Sequence, residues 1–334
     1  MAFLIGTDEA GYGPSLGPLV ITATAWECPN RDLDLYEVLA EVVADSPKSA
    51  KSSTGSRRLL IADSKVACRS GAIGNLETTV LLLLESVYGR RPKTLSDLVS
   101  IVMPTVAEGF LEQHFWLKGL NIELPLESND VQGEMYSELS SRFRAVCQRN
   151  AIRLSDIRST IVLPPEFNDG VMELGNKATL LSDKTLRLAA GLMNGRSDDT
   201  LIECDKHGGR SYYSDLIARA LTDCPVEIVL ESAQQSVYQW SPPNRECEVR
   251  FTAKGEGQLP VALASMVSKY VREVFMEAWN DFWSIQVPNI KPTKGYPQDA
   301  KRFLGEINDA VAVLQLARND FCLLYTSPSP RDRG

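Results

Sequence analysis

Residues 3–26 read FLIGTDEAGYGPSLGPLVITATAW: an apolar run ends in two adjacent carboxylates, Asp8 and Glu9, and a second apolar run follows after three glycines and two prolines. Runs rich in Ile, Val and Thr on either side of a Gly/Pro turn predict two paired strands, 3–8 and 18–26. A turn this short makes them antiparallel, so any sheet that also holds parallel strands must be mixed. Two like charges at the edge of a core repel each other and desolvate poorly. A divalent cation would offset them, provided the rest of the chain supplies further ligands.

The bulk properties narrow the classes. At 334 residues the chain can bury one large core or two modest ones, and its 44% hydrophobic and 23% charged content is that of a globular protein. The longest apolar run, around TTVLLLLESV, is too short to span a bilayer. The first residues carry no basic region and include acids by position 8, so a cytoplasmic protein without a signal peptide is expected. Seven scattered cysteines contain no Cys-x-x-Cys, which argues against a zinc ribbon and a disulfide framework. With only His114 and His207 available, the chemistry must lean on carboxylates. A net charge of −8 speaks against indiscriminate nucleic-acid binding, although residues 251–302 hold seven basic groups against five acids.

Periodicity predicts helices over 33–45, 75–88, 106–118, 134–148, 176–193 and 259–283, and further strands over 157–165, 199–205 and 225–232. Strands alternating with helices indicate an α/β protein. The Ser/Lys/Arg-rich segment 46–58 reads as a loop. The ending LLYTSPSPRDRG, 323–334, fits no element and reads as a disordered or non-native tail.

Three places put a carboxylate at a strand end or a helix start: Asp8-Glu9, Asp205 in IECDKHGG, and Glu256 in FTAKGEGQLPVALAS. Brought together, four carboxylates would bind two hard cations of the kind that assist phosphoryl transfer. Spacing alone leaves this open, because acids at strand ends are common.

The wording of the motifs adds to it. GTDEAGYGPSLGPLVITA resembles the opening motif of the type 2 ribonucleases H, the HII/HIII group. ADSK (62–65), GNKATLL (175–181), LIECD (201–205), KGEGQLPVALASMVSKYVRE (254–273) and KGYPQDAKRFL (294–304) are similar to that family's later motifs, in the same order. The resemblance covers about residues 3–305, with 27–60 and 85–155 as insertions in a catalytic domain of residues 1–310. It implies a ribonuclease H-like fold: a central mixed five-stranded sheet flanked by helices, with a helical C-terminal part. It implies endonucleolytic cleavage of the RNA strand of RNA–DNA hybrids by a monomer using two Mg²⁺ or Mn²⁺ ions. Asp8, Glu9, Asp205 and Glu256 would be the metal-binding and catalytic carboxylates, and Glu at the fourth place is similar to the HIII type.

Gly11 and Gly13 would let backbone N–H groups approach a sugar–phosphate chain, while also making the strand–strand turn. Tyr12 stands where the family carries a basic residue. It offers a ring and one hydroxyl but no charge, which predicts a preference for continuous hybrids over a single embedded ribonucleotide. Lys65, Lys269 and Arg272 are candidate phosphate contacts. Ser265 reads as helix packing, and His207 as a group that orders its loop or handles a proton. The alternatives are a hybrid-binding protein with weak catalysis and a DNA nuclease or resolvase on the same fold. An NTPase lacks support, because no Gly-x-x-x-x-Gly-Lys-(Ser/Thr) is present.

Overall fold

The Gly/Pro segment does return the chain antiparallel to itself. In a computed structural model that describes residues 1–50, 57–68, 73–105, 109–127 and 133–323, nine strands are seen. They are β1 (Ala2–Ala10), β2 (Leu19–Cys28), β3 (Val43–Ala44), β4 (Leu59–Leu60), β5 (Arg153–Val162), β6 (Asp199–Asp205), β7 (Glu227–Glu231), β8 (Gln235–Trp240) and β9 (Cys247–Thr252). Seven form one sheet in the order β5-β2-β1-β6-β9-β8-β7, and β3 and β4 make a separate parallel pair. In the main sheet β1 is antiparallel to β2 and parallel to β6, and β6 is parallel to β9. The mixed five-stranded sheet that the resemblance implies is therefore β5-β2-β1-β6-β9, and the antiparallel β8 and β7 widen it.

Both faces of the sheet are covered, which is why β1 reads as continuously apolar rather than alternating. Leu4 and Leu201 pack toward the helix Leu259–Gln286, whereas Phe3, Ile5, Ile202 and Cys204 pack toward the helix Lys177–Met193. By the period of two, Gly6 and Asp8 share Leu4's face, and Glu203 and Asp205 share Leu201's. The long helix crosses β1 at Gly6 in direct contact. A Cβ at Gly6 would stand 2.1 Å from the Pro260 carbonyl carbon. Thr24, opposite Gly6 on β2, donates from its hydroxyl to the Pro260 carbonyl at 2.8 Å.

Residues of the segments 27–60 and 85–155 pack against that helix. Trp116 packs edge-on to Trp279 and Phe275, with centroids 5.3 and 6.1 Å apart. Glu77, buried in the helix Gly74–Tyr88, accepts from the backbone N–H groups of Leu126 and Glu127 and from the Tyr270 hydroxyl. No helix among the described residues is long and apolar enough to cross a membrane, and all seven cysteines are free thiols.

Several expectations need correction. The helix expected over 33–45 is one turn, Leu35–Val38, capped by Asp34, after which Val43 and Ala44 pair with β4 instead. Over 106–118, residues 106–108 lie outside the described residues and the rest holds only the turn Leu111–Gln113. Gly109 and Gly119 adopt left-handed φ at its ends, and burial of Trp116 and Leu117 against the long helix outweighs local helical spacing. Pro164 and Pro165 do end β5, but they open the next helix, Pro164–Leu174. Strands β8 and β9 were not expected. Of the segment 46–58, residues 51–56 lie outside the described residues and Pro47–Ala50 form a helical turn. Of the tail, 324–334 lie outside as well, while Leu323 is buried and donates from its N–H to the Ser15 carbonyl.

Gly6→Ala tests the helix–strand contact. The added methyl collides with backbone rather than with a flexible side chain, so a loss of at least about 1–3 kcal/mol is expected in denaturant unfolding. An unchanged midpoint would show that the helix does not bear on β1 there.

Candidate active site

Parallel strands β1 and β6 end side by side, with Thr7 opposite Cys204, so Asp8 and Asp205 follow as neighbours on the face covered by the long helix. Glu256 joins them from the turn Gly255–Gly257 between β9 and the long helix. That turn sits tight against β6: a Cβ at Gly255 would be 3.1 Å from the Cys204 carbonyl oxygen, and the Gly255 N–H donates to Asp205 Oδ1 at 3.1 Å.

The four carboxylates feel one another. Burial pushes the Asp8 carboxyl well above the ordinary carboxylate range, and Glu9, Asp205 and Glu256 add their repulsion. The Ser265 hydroxyl bonds the Asp8 carboxyl and opposes that rise. Burial likewise raises Glu256, with Asp205 next in effect. The site thus gathers negative potential at the carboxyl ends of β1 and β6, with β9 leading directly into it. Among the described residues, no three His, Cys, Asp or Glu side chains are drawn in closely enough to clasp one ion together. The donor set itself, oxygen only and mutually repelling, is the chemistry that hard divalent cations take.

The long helix serves the site from above. Ser268 donates to the Asp8 carbonyl at 3.0 Å, and Ser265 Oγ stands 3.2 Å from Ser64 Oγ. Ser64 belongs to the ADSK segment, where the Asp63 side chain caps the turn Ser64–Ala67 by accepting from the Lys65 N–H. Ser265, expected to be packing, therefore links two motifs through Asp8. A cleft of about 1090 Å³ opens beside these groups, lined by Asp63, Lys65, Asp205, Lys254 and Glu256 among others. Lys65 is exposed at its rim.

Two candidate phosphate contacts are otherwise engaged. Arg272 is only 1% exposed; it donates to the carbonyls of Leu16 and Lys294, 3.1 Å each, and fastens the glycine turn to the Gly-Tyr-Pro segment. Lys269 and Lys294 both pair with buried Glu273. Burial alone would raise the Glu273 carboxyl, but these two ammoniums more than offset it and hold it below its usual value. Much of the basic excess over 251–302 is consumed inside the fold.

Gly11 takes φ +101°, and a Cβ there would lie 2.2 Å from the Pro18 carbonyl oxygen, so the turn demands glycine. Gly13 is half-buried in the same turn. Tyr12 leans onto the apolar cluster of Leu19, Phe167 and Leu180. His207 is buried, with Nδ1 2.9 Å from Ser182 Oγ. Because the Ser182 hydroxyl donates to the Ala178 carbonyl, the imidazole is the donor in this pair. His207 thereby fixes the loop after β6. Its neighbour Lys206, unforeseen in the sequence, is buried and donates to the Ser232 carbonyl and Ser236 hydroxyl.

No protein-family model and no curated protein sequence matches the chain. Among solved structures it is similar to the ribonuclease H2 from Pyrococcus horikoshii OT3, at 14% identity and a TM-score of 0.46 over 96% of this chain and 92% of that one. The RNase HII of the PCNA:RNase HII complex from Archaeoglobus fulgidus is 13% identical, with a TM-score of 0.40 over 97% and 95%. Bst-RNase HIII in complex with Mn²⁺ is 13% identical, with a TM-score of 0.39 over 99% of this chain and 69% of that one. Likenesses of this size assign no residue a role; the site stands on its own geometry.

The electrostatics give a direct test. Since Asp8 titrates higher in the folded chain than in an unfolded one, the stability present below the ordinary carboxylate range is lost as pH rises through the raised value. In EDTA, Asp8→Asn is expected to stabilise the chain by roughly 0.5–2 kcal/mol at neutral pH, with the gain vanishing on acidification. Thermal melts across pH check this; an Asn variant less stable at neutral pH would mean that the carboxylate is compensated by groups other than those named.

Proposed function

We propose that the chain is a metal-dependent endoribonuclease of the type 2 ribonuclease H class, cleaving the RNA strand of RNA–DNA hybrids. The observation that carries the reading is the meeting of Asp8, Glu9, Asp205 and Glu256, from three distant segments, in one mutually repelling group beside an open cleft. A structural core gains nothing from that repulsion, and a surface built only to bind would repel phosphates with it. The order of the sequence motifs and the mixed sheet agree with the same reading.

Asp8, Glu9, Asp205 and Glu256 would hold two Mg²⁺ or Mn²⁺ ions. Bound there, the ions supply activation of water and neutralisation of charge at the scissile phosphate. The chain's own part is positional. Ser265 and Ser268 fix Asp8 by its carboxyl and its carbonyl, and the Gly255 N–H fixes one oxygen of Asp205. Gly11 and Gly13 bare the backbone of the turn, where N–H groups can meet a ribose 2′-hydroxyl. Lys65 and Lys254, both exposed and both lining the cleft, would meet phosphates of a strand lying in it.

The deciding experiment compares matched RNA–DNA hybrid, duplex DNA and duplex RNA with Mg²⁺ and with Mn²⁺. Cleavage confined to the RNA strand of the hybrid is expected, with Asp8→Asn and Asp205→Asn lowering kcat by at least about 10²–10³-fold while remaining folded. Cleavage of duplex DNA in preference would move the chain to a DNA nuclease on this fold, and full activity of either variant would remove the carboxylates from the mechanism.

A further inference from the structure

The main sheet ends in a strand that is bare on its outer side. β7 pairs with β8 along one edge, and among the described residues no strand pairs with its other edge. Such an edge presents a row of N–H and C=O groups that another chain can pair with, and proteins commonly blunt it with charge, proline or a cover. Here the middle of the edge is apolar instead. Ile228, Val229 and Leu230 are 53%, 50% and 43% exposed, three successive large side chains in water. The register shifts at Val229, so Ile228 lies opposite Tyr238 and Leu230 opposite Val237. Tyr238 and Val237, successive residues of β8, face opposite sides of the sheet, and β7 therefore offers an apolar side chain on each face.

Both ends of the strand are acidic. Glu227 is exposed, Glu231 accepts a hydrogen bond from the Tyr238 hydroxyl, and among the described residues no basic side chain pairs with either carboxylate. We propose that β7 is a docking edge for an extended segment of another protein, apolar at its centre and basic at both ends, which adds to the sheet as a further strand. Backbone pairing supplies the affinity, Ile228 and Leu230 cover apolar side chains of the segment on either face, and Glu227 and Glu231 meet its cations. A second copy of this chain fits worse. A two-fold axis sets two β7 strands antiparallel, and the register that covers all three apolar residues puts Glu227 of each copy opposite Glu231 of the other. The shift at Val229 is a second obstacle, because a bulge bends and twists its strand in a way that a flexible segment can follow and a rigid sheet edge cannot. The turn that leaves β7 reaches the cleft, where Gln234 forms part of the lining, so a protein tethered on this edge stands beside the carboxylates without occupying their site. The inference rests on the edge alone and holds whichever nucleic acid is cleaved.

The test titrates the full chain into the fluorescein-labelled peptide Lys-Lys-Val-Thr-Val-Thr-Val-Lys-Lys, read by anisotropy. The same peptide with its central Val replaced by Pro, and one with Glu for every Lys, serve as comparisons. The Lys peptide is expected to bind with a Kd below about 100 μM, and the Pro peptide at least about 10-fold more weakly despite its equal charge, since proline interrupts the ladder. Bound peptide slows amide exchange over residues 227–231. Val229→Lys, which sets a charge in the middle of the exposed run, weakens binding at least about 10-fold. Glu227→Lys weakens the Lys peptide about 2–5-fold and strengthens the Glu peptide by a similar factor. Melting curves establish that each variant is folded. Equal binding of the Val and Pro peptides, unchanged exchange over 227–231, or no binding at about 1 mM overturns the inference. A concentration-dependent dimer in sedimentation that Val229→Lys abolishes assigns the edge to a second copy and overturns it as well.

Discussion

The crossing of the long helix over β1 at Gly6 is the contact on which the remaining arrangement depends. With backbone against backbone, the helix comes closer to β1 than any side chain at position 6 would allow. Within little more than the next two turns, Ser265 and then Ser268 arrive at hydrogen-bonding distance from Asp8. The same closeness carries Arg272 beneath the glycine turn and sets Glu256, at the helix's leading turn, against the end of β6. A single bare position in the first strand thus fixes the distance scale of the whole site.

Burial and charge pull in opposite directions across this helix, and the chain resolves the conflict differently at each end. Near its start, Asp8 and Glu256 are left with like-charged company, and their carboxyls rise. Further along, Glu273 is equally enclosed but receives two ammoniums, and its carboxyl falls. One end holds charge ready for a ligand; the other uses charge to fasten loops. Buried ion pairs add little net stability on average, so the value of the Glu273 cluster lies in fixing which loop lies where.

Much of this was legible in the sequence. β6 was read to the residue, the helix Lys177–Met193 to within one, and the helix Leu259–Gln286 at its first residue though three short at its end, because their apolar periodicity and their Asn176 and Pro260 starts agree with the tertiary answer. Position at strand ends left the convergence of the carboxylate segments open, and the motif resemblance is what pointed to it. What escaped were β8 and β9, where Glu248 and Arg250 pair with each other on one face and so hide a central strand behind a polar pattern. Arg272 and Lys269 could not be told from phosphate contacts, since sequence says that a cation is present and not what already neutralises it. The Lys177 ammonium stands 4.4 Å from the ring centroid of Tyr12, 165 positions away, and a ring and a cation so far apart in the chain leave no local signal.

Residues of the segments 27–60 and 85–155 pack into the core rather than decorate it. Trp116 packs edge-on to Trp279 of the long helix, and the Leu126 and Glu127 amides are the partners that make burial of Glu77 tolerable. The helix that presents Ser265 to Asp8 on one flank is, on its other flank, the hydrophobic floor of these segments. Trimming the chain to a minimal sheet-and-helix body would therefore uncover an indole-rich surface and strand a carboxylate without its amides. These segments and the sheet-and-helix body share one solvent-excluded interior, and neither can be shortened without redesigning the other.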